Sequence, residues 1–264
     1  METKDSKRYL FVCGCPRSGT TALMHLLNSH RLIVLGVERY KKFAKPTHIK
    51  KLNKRVFEPE FFLDIRGKQT NLHHKHKDWD TKWKKVYDAM RPKLSQDNLL
   101  IGDKFPHYYL FYDYIDQTFD SPRIVFILRD VRDVALSYNA RAANEKDRWS
   151  SYRDYTYAVK DWNESIEKTL QYLDSGKDNI FICEYAALFS YNPDYLLAML
   201  NFLQVDVYSD ITDYYHNMTS GWEERMRSRK YLPPEQEEYV STYAQWDMRD
   251  DLLARYGTRS AVQA

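Results

Sequence analysis

The densest chemistry in the chain is Cys15-Pro-Arg-Ser-Gly-Thr-Thr21, one guanidinium and three hydroxyls directly after an apolar run. That run, Tyr9 to Cys13, reads as a buried strand, and a helix is expected from about Gly19 to Ser29. The spacing Gly14-x4-Gly19 followed by Thr20-Thr21 has the outline of a nucleotide-binding loop, where backbone N–H groups and a helix N-terminus hold phosphate oxygens. Where that loop carries lysine this chain has Thr20, and its cation, Arg17, stands inside the loop. Ser18, Thr20 and Thr21 complete an anion cradle that is poorly equipped for a triphosphate with Mg²⁺. A different phosphorylated ligand is implied.

Further polar residues stand at the ends of other apolar runs. Glu38 follows Leu32 to Leu35 and Gly36, at the exit of a second strand, where open α/β sheets place functional side chains. Asp103-Lys104 follows the strand Leu99 to Ile101, so the lysine enters the same crevice as the loop. Arg129 tips the clearest strand, Arg123 to Leu128, and Ser137 lies eight residues on, about two turns along the following helix. An arginine fork with a hydroxyl makes a clamp for phosphate. Taken alone, Arg129-Asp-Val-Arg-Asp133 could as well form surface ion pairs.

Helices are expected from His107 to Phe119, Val131 to Ala143, Trp149 to Leu173 and Pro193 to Leu203, with a strand from Asn179 to Cys183 that ends at Glu184-Tyr185. The stripe Tyr155, Val159, Trp162, Ile166 and Leu170 reads as core. From Tyr214 the chain is polar and aromatic, and Arg225, Arg227, Arg229 and Lys230 precede a final helix near Pro233-Pro234. This order implies an α/β fold, a P-loop NTPase-like parallel sheet flanked by helices on both faces. One domain is expected over 1–264, with a basic insert at 39–98 and a helical C-terminal segment at 214–258.

Arg39 to Arg55 has no acidic residue, and Gly67 to Lys85 is again basic around His73, His74 and His76. Either this is a solvated face or it is a rim that attracts an anion. The histidines have no acidic or cysteine partner at ligand spacing, so no metal site is expected.

A hydrophobic content of 43% over 264 residues suits one α/β core, and a net charge of +3 makes no global demand for nucleic acid. Three cysteines without a C-x-x-C pair point to a reducing compartment. There is no apolar run of about 18 residues, and Met1 to Arg8 is charged, so no membrane span and a cytoplasmic location are expected.

With these residues in place the chain resembles sulfotransferases that use 3′-phosphoadenosine-5′-phosphosulfate (PAPS), across roughly Arg8 to Tyr256. The resemblance implies that Arg17, Ser18, Gly19, Thr20 and Thr21 hold the 5′-phosphosulfate, and that Arg129 and Ser137 hold the 3′-phosphate. Tyr185, in Glu-Tyr-Ala-Ala-Leu, is similar to a nucleotide-contacting tyrosine of the family. The form Pro16-Arg-Ser-Gly-Thr-Thr21 resembles tyrosylprotein and many bacterial and carbohydrate sulfotransferases. The tyrosylprotein type has a catalytic glutamate where this chain has Glu38, an Asn-Lys-x-Pro segment resembling Asp103-Lys-Phe-Pro106, and an arginine resembling Arg141. Tyr40 stands where that type has arginine.

The implied reaction moves a sulfuryl group from PAPS to an acceptor hydroxyl, of a carbohydrate, small alcohol, phenol or protein tyrosine, and leaves 3′,5′-adenosine bisphosphate (PAP). It is an in-line displacement without metal, with Arg17 and Lys104 as cations and Glu38 as general base, its pKa tuned by burial. His107 is the rival base, Asp103 a third. The alternative class, a P-loop kinase or nucleotide-binding protein, would share the loop but needs its lysine.

Overall fold

A computed structural model of the chain describes residues 7–64, 77–146 and 148–257. Five parallel strands form one sheet: β1 (Arg8–Cys13), β2 (Ile33–Val37), β3 (Leu100–Lys104), β4 (Arg123–Leu128) and β5 (Ile180–Glu184), in the order β2-β3-β1-β4-β5. Their near-continuous apolar sequences are those of strands covered on both faces. Alternation along β1 sends Tyr9, Phe11 and Cys13 into one core cluster and Leu10 and Val12 into the other.

The helices are α1 (Thr20–Ser29), α2 (Pro59–Phe62), α3 (Lys77–Met90), α4 (Tyr112–Phe119), α5 (Val131–Ala142), α6 (Tyr155–Asp174), α7 (Tyr185–Phe189), α8 (Pro193–Leu203), α9 (Ser209–Thr219), α10 (Trp222–Arg227), α11 (Pro234–Tyr243) and α12 (Trp246–Tyr256). Leu23, Leu26 and Leu27 of α1 pack with α8 and α9 on one face, whereas Val131, Val134 and Tyr138 of α5 pack with α6 on the other. The helices after the central strands β1 and β4 therefore diverge. A crevice opens between their N-termini at the carboxyl ends of the strands, where ligands bind in such sheets.

Several elements differ from the sequence expectations. The helix expected from His107 starts as a 3₁₀ segment, Pro106–Phe111, with non-helical dihedrals at His107, and becomes α-helical only at Tyr112. The long helix begins at Tyr155 because Asp154 caps it, its carboxylate accepting the Thr156 N–H at 2.9 Å. Trp149 is left outside the helix, its Nε1 donating to Arg153 O at 2.8 Å. Helix α9 has no expected counterpart, since only Ile211 and Tyr215 give it a buried apolar face. The final helix is two, broken at Ala244-Gln245 where the Asn163 amide donates to Tyr243 O and accepts from Gln245 N–H.

The first basic segment is not simply a solvated face. Arg39 is buried, and Leu52, Phe57 and Phe62 join the core, Phe57 meeting the rings of Tyr9, Phe11, Tyr40 and Phe119. The histidines at 73, 74 and 76 lie outside the described residues. Among the described residues no group of His, Cys, Asp and Glu is placed to hold a metal, and no helix is long and apolar enough to cross a membrane.

Candidate active site

The loop after β1 is pinned at both ends. Gly14 N–H donates to Pro106 O at 3.1 Å and Ser18 N–H to Cys15 O at 3.1 Å. Arg17 and Gly19 both take positive φ, 73° and 97°, and Gly19 precedes the first residue of α1. A Cβ on Gly19 would lie 2.7 Å from the Tyr185 ring, so glycine is required there by space as well as by dihedral. The first turn of α1 contains no acidic residue, and its leading N–H groups have no partner within the helix, which makes its N-terminus receptive to an anion.

Arg17 Nε donates to Ser137 Oγ at 2.9 Å, which ties the loop to α5. Arg129 Nη1 donates to Arg17 O at 3.3 Å, its guanidinium sits 4.4 Å from the centre of the Tyr185 ring, and its Nε lies 3.4 Å from the Asp133 carboxylate. Arg17, read from the sequence as the cation of the loop, thus forms one cluster with Arg129 and Ser137, read as a phosphate clamp, and with Tyr185, read as a nucleotide contact. Thr20 and Thr21 face the cleft, while the Ser18 side chain is buried away from it.

Glu38 stands beyond β2 with φ 51°, its N–H donating to Lys104 O at 2.7 Å. Its Oε1 accepts from Lys104 Nζ at 3.0 Å and its Oε2 from Lys41 Nζ at 3.3 Å. Lys104 also donates to Thr21 Oγ1 at 3.1 Å, so one lysine, with a side chain 2% exposed, joins the carboxylate to the phosphate loop. Burial pushes the Glu38 carboxyl up, but the charges and hydrogen bonds of Lys104 and Lys41 outweigh it and hold the group below the ordinary range. The expected tuning by burial is therefore overridden.

The two rival bases are differently placed. His107 lines the cleft, and burial lowers its pKa, which favours the neutral ring. Asp103 is fully buried and accepts hydrogen bonds from Tyr108 Oη and the Arg39 and Tyr40 amides. It has no route to an acceptor proton.

A cavity of about 780 Å³ lies between these elements, lined by Arg17, Gly19, Thr20, Thr21, Glu38, Arg129, Ser137 and Arg141 among others. Glu38 is its single carboxylate lining among the described residues. The lining also takes in Lys41, His107, Trp149 and Arg153, with the Arg141 and Arg153 guanidiniums 4.9 and 4.6 Å from the Trp149 ring. A second cavity of about 310 Å³ shares Arg129 and Ser137 and adds Tyr185, Trp222, Arg225, Arg229 and Lys230. That Trp149, Arg153 and Trp222 line these cavities was not read from sequence. The Asp154-Tyr-Thr156 cap was the available signal that Trp149 and Arg153 precede the helix.

A P-loop-type α/β fold, a loop without the NTPase lysine, and a strand-end lysine joined to a cleft carboxylate suit group transfer from an anionic donor. A model of the Sulfotransferase family matches residues 10–210, and the chain belongs to that family. It is a sulfotransferase. No curated protein matches the chain at a significant level. Solved structures share the fold at low identity. A sulfotransferase from Alicyclobacillus acidocaldarius is 16% identical with TM-score 0.54, covering 93% of this chain and 95% of that one. A mouse sulfotransferase in complex with PAP is 13% identical with TM-score 0.54, covering 98% and 90%. The sulfotransferase domain of the Synechococcus PCC 7002 olefin synthase is 16% identical with TM-score 0.51, covering 92% of each.

Proposed function

We propose that the cleft binds PAPS and transfers its sulfuryl group to an acceptor hydroxyl, with Glu38 as general base and Arg17 and Lys104 as the cations at the transferring end. The observation that carries this reading is Lys104 Nζ between Thr21 Oγ1 and Glu38 Oε1, at 3.1 and 3.0 Å. PAPS supplies a sulfuryl group activated by its bond to phosphate. The residues present fit such a donor: the α1 N-terminus, Arg17, Thr20 and Thr21 suit the 5′ end, and Arg129 and Ser137 suit the 3′-phosphate. Arg229 and Lys230, from the adjoining cavity, add charge on that side. Tyr185 packs beside Gly19 and bounds the nucleotide. The mouse relative with PAP supports the choice of donor.

Glu38 is ionised at neutral pH because its pKa is held low, so it is ready to accept a proton but weakened by its lysines. As negative charge develops towards the phosphate side, Lys104 turns its hydrogen bond from Glu38 to that charge. The shift stabilises the transition state and frees Glu38 for the acceptor proton. These side chains complete the step without a metal.

The acceptor is a carbohydrate, a small alcohol or phenol, or a protein tyrosine. Lys41, Arg141 and Arg153 in the lining of the cleft suit an acceptor that carries negative charge near its hydroxyl. The whole chain acts as one sulfotransferase domain. Its three thiols are buried and unpaired, in keeping with the cytoplasm.

A thermal-shift comparison tests donor choice. PAP in the presence of a chelator should raise the melting temperature. A larger shift with Mg-ATP than with PAP would overturn the reading.

A further inference from the structure

β2 and β3 end side by side, with Gly36 paired to Asp103 and Val37 to Lys104. Immediately beyond, Glu38 adopts the left-handed conformation, which non-glycine residues keep only when their surroundings impose it. The Asp103 carboxylate holds the two amides that follow Glu38. Oδ1 accepts the Arg39 N–H at 2.9 Å, and Oδ2 accepts the Tyr40 N–H at 3.1 Å and the Tyr108 hydroxyl at 2.7 Å. Gly36 makes the room, since a Cβ there would stand 2.7 Å from Asp103 Oδ1. The neighbouring residue takes the other side: Lys104 O holds the Glu38 amide and Lys104 Nζ its carboxylate.

We propose that Asp103 is a positioning residue that sets the Glu38 carboxylate against Lys104 through the Arg39 and Tyr40 amides, so that protonation of Asp103 slackens this turn and lowers turnover. The proposal rests on the reading of Glu38 as base. The groups that face Asp103 are Lys104 from its own strand, Tyr108 from the 3₁₀ segment, Arg39 and Tyr40 from the turn, and Tyr87 from α3. Burial raises the Asp103 carboxyl to about 6, against the hydrogen bonds from Tyr108, Arg39 and Tyr40 and the charge of Lys104. Glu38 is shifted the other way and supplies no acid limb near that pH, while His107, which also lines the cleft, is told apart from Asp103 by the response of the limb to Tyr108→Phe.

Protonated Asp103 turns one oxygen into a donor and loses an acceptor for one of the two amides. The sign for stability is opposite to that for turnover. Between the ordinary value of 3.8 and about 6 the folded chain binds a proton that the unfolded chain does not, so this group makes the protein more stable as pH falls through that window. Turnover falls over the same window.

The test combines amide NMR of the full chain with turnover of PAPS to PAP, using water as the acceptor. The Arg39 and Tyr40 amide signals should titrate together between about pH 8 and pH 5, and Asp103→Asn should abolish that titration. Tyr108→Phe removes a bond that favours the carboxylate, so it should move both the amide midpoint and the acid limb of turnover upward while turnover at about pH 8 stays within about twofold. Asp103→Asn should lower kcat by about tenfold or more and leave PAP affinity within about twofold. Amides that do not titrate in the folded wild type, or an acid limb unmoved by Tyr108→Phe, would overturn the proposal. Failure of the wild type to bind PAP would instead sink the donor assignment, and the amide titration, which needs no ligand, still decides whether Asp103 controls the turn.

Discussion

Lys104 is nearly inaccessible, yet it touches both halves of the site. An ammonium has three donors, and Thr21 Oγ1 and Glu38 Oε1 take two. Replacing it with an apolar side chain of similar length removes the charge without opening a cavity. Lys104→Met should lower sulfuryl transfer by about 10²–10³-fold while PAP affinity changes by less than about tenfold, as checked by turnover and calorimetry. Equal losses in both would make the lysine a binding residue only. Glu38, Lys104 and Arg129 were legible in the sequence because each follows an apolar run at a strand exit, and parallel pairing brings such exits to one edge. Lys41 was not singled out, since nothing in a run of basic residues marks which one turns back onto Glu38.

The loop between β1 and α1 turns directly against the Tyr185 ring. Gly19→Ala meets that ring at 2.7 Å in a conformation alanine resists. The variant should lose about 1–3 kcal/mol of stability in denaturant unfolding, and PAP affinity should fall by about tenfold or more because the α1 N-terminus is displaced. Wild-type stability would show that the loop has slack. The strands and the helices after β1 and β4 were readable from apolar runs and periodicity. The start of α6 and the break between α11 and α12 were not, because single polar side chains, Asp154 and Asn163, decide them by hydrogen bonds. Trp149 and Arg153 reach the cleft only as a result of the first of these.

Across the whole molecule, a modest net charge of +3 hides a concentrated field. Arg17, Lys41, Arg129, Arg141 and Arg153 line one cavity with a single carboxylate among the described residues, and Arg225, Arg229 and Lys230 line the next. The surrounding acids are spent on holding cations in place, as Asp133 does with Arg129 and Arg229, and Asp161 with Arg153. Composition averages over such an arrangement, which arises only when β1 and β4 send their helices to opposite faces. Sulfuryl transfer in this cleft with Glu38 as base is tested by transfer of label from radiolabelled PAPS to a panel of carbohydrate, phenol, alcohol and tyrosine-peptide acceptors, with a chelator present. Wild type should label at least one acceptor and release PAP in equal amount, and Glu38→Gln should bind PAP normally and transfer about 10²-fold more slowly or worse. Wild-type rates in Glu38→Gln, or no labelled acceptor and no PAP from the wild type, would contradict the account.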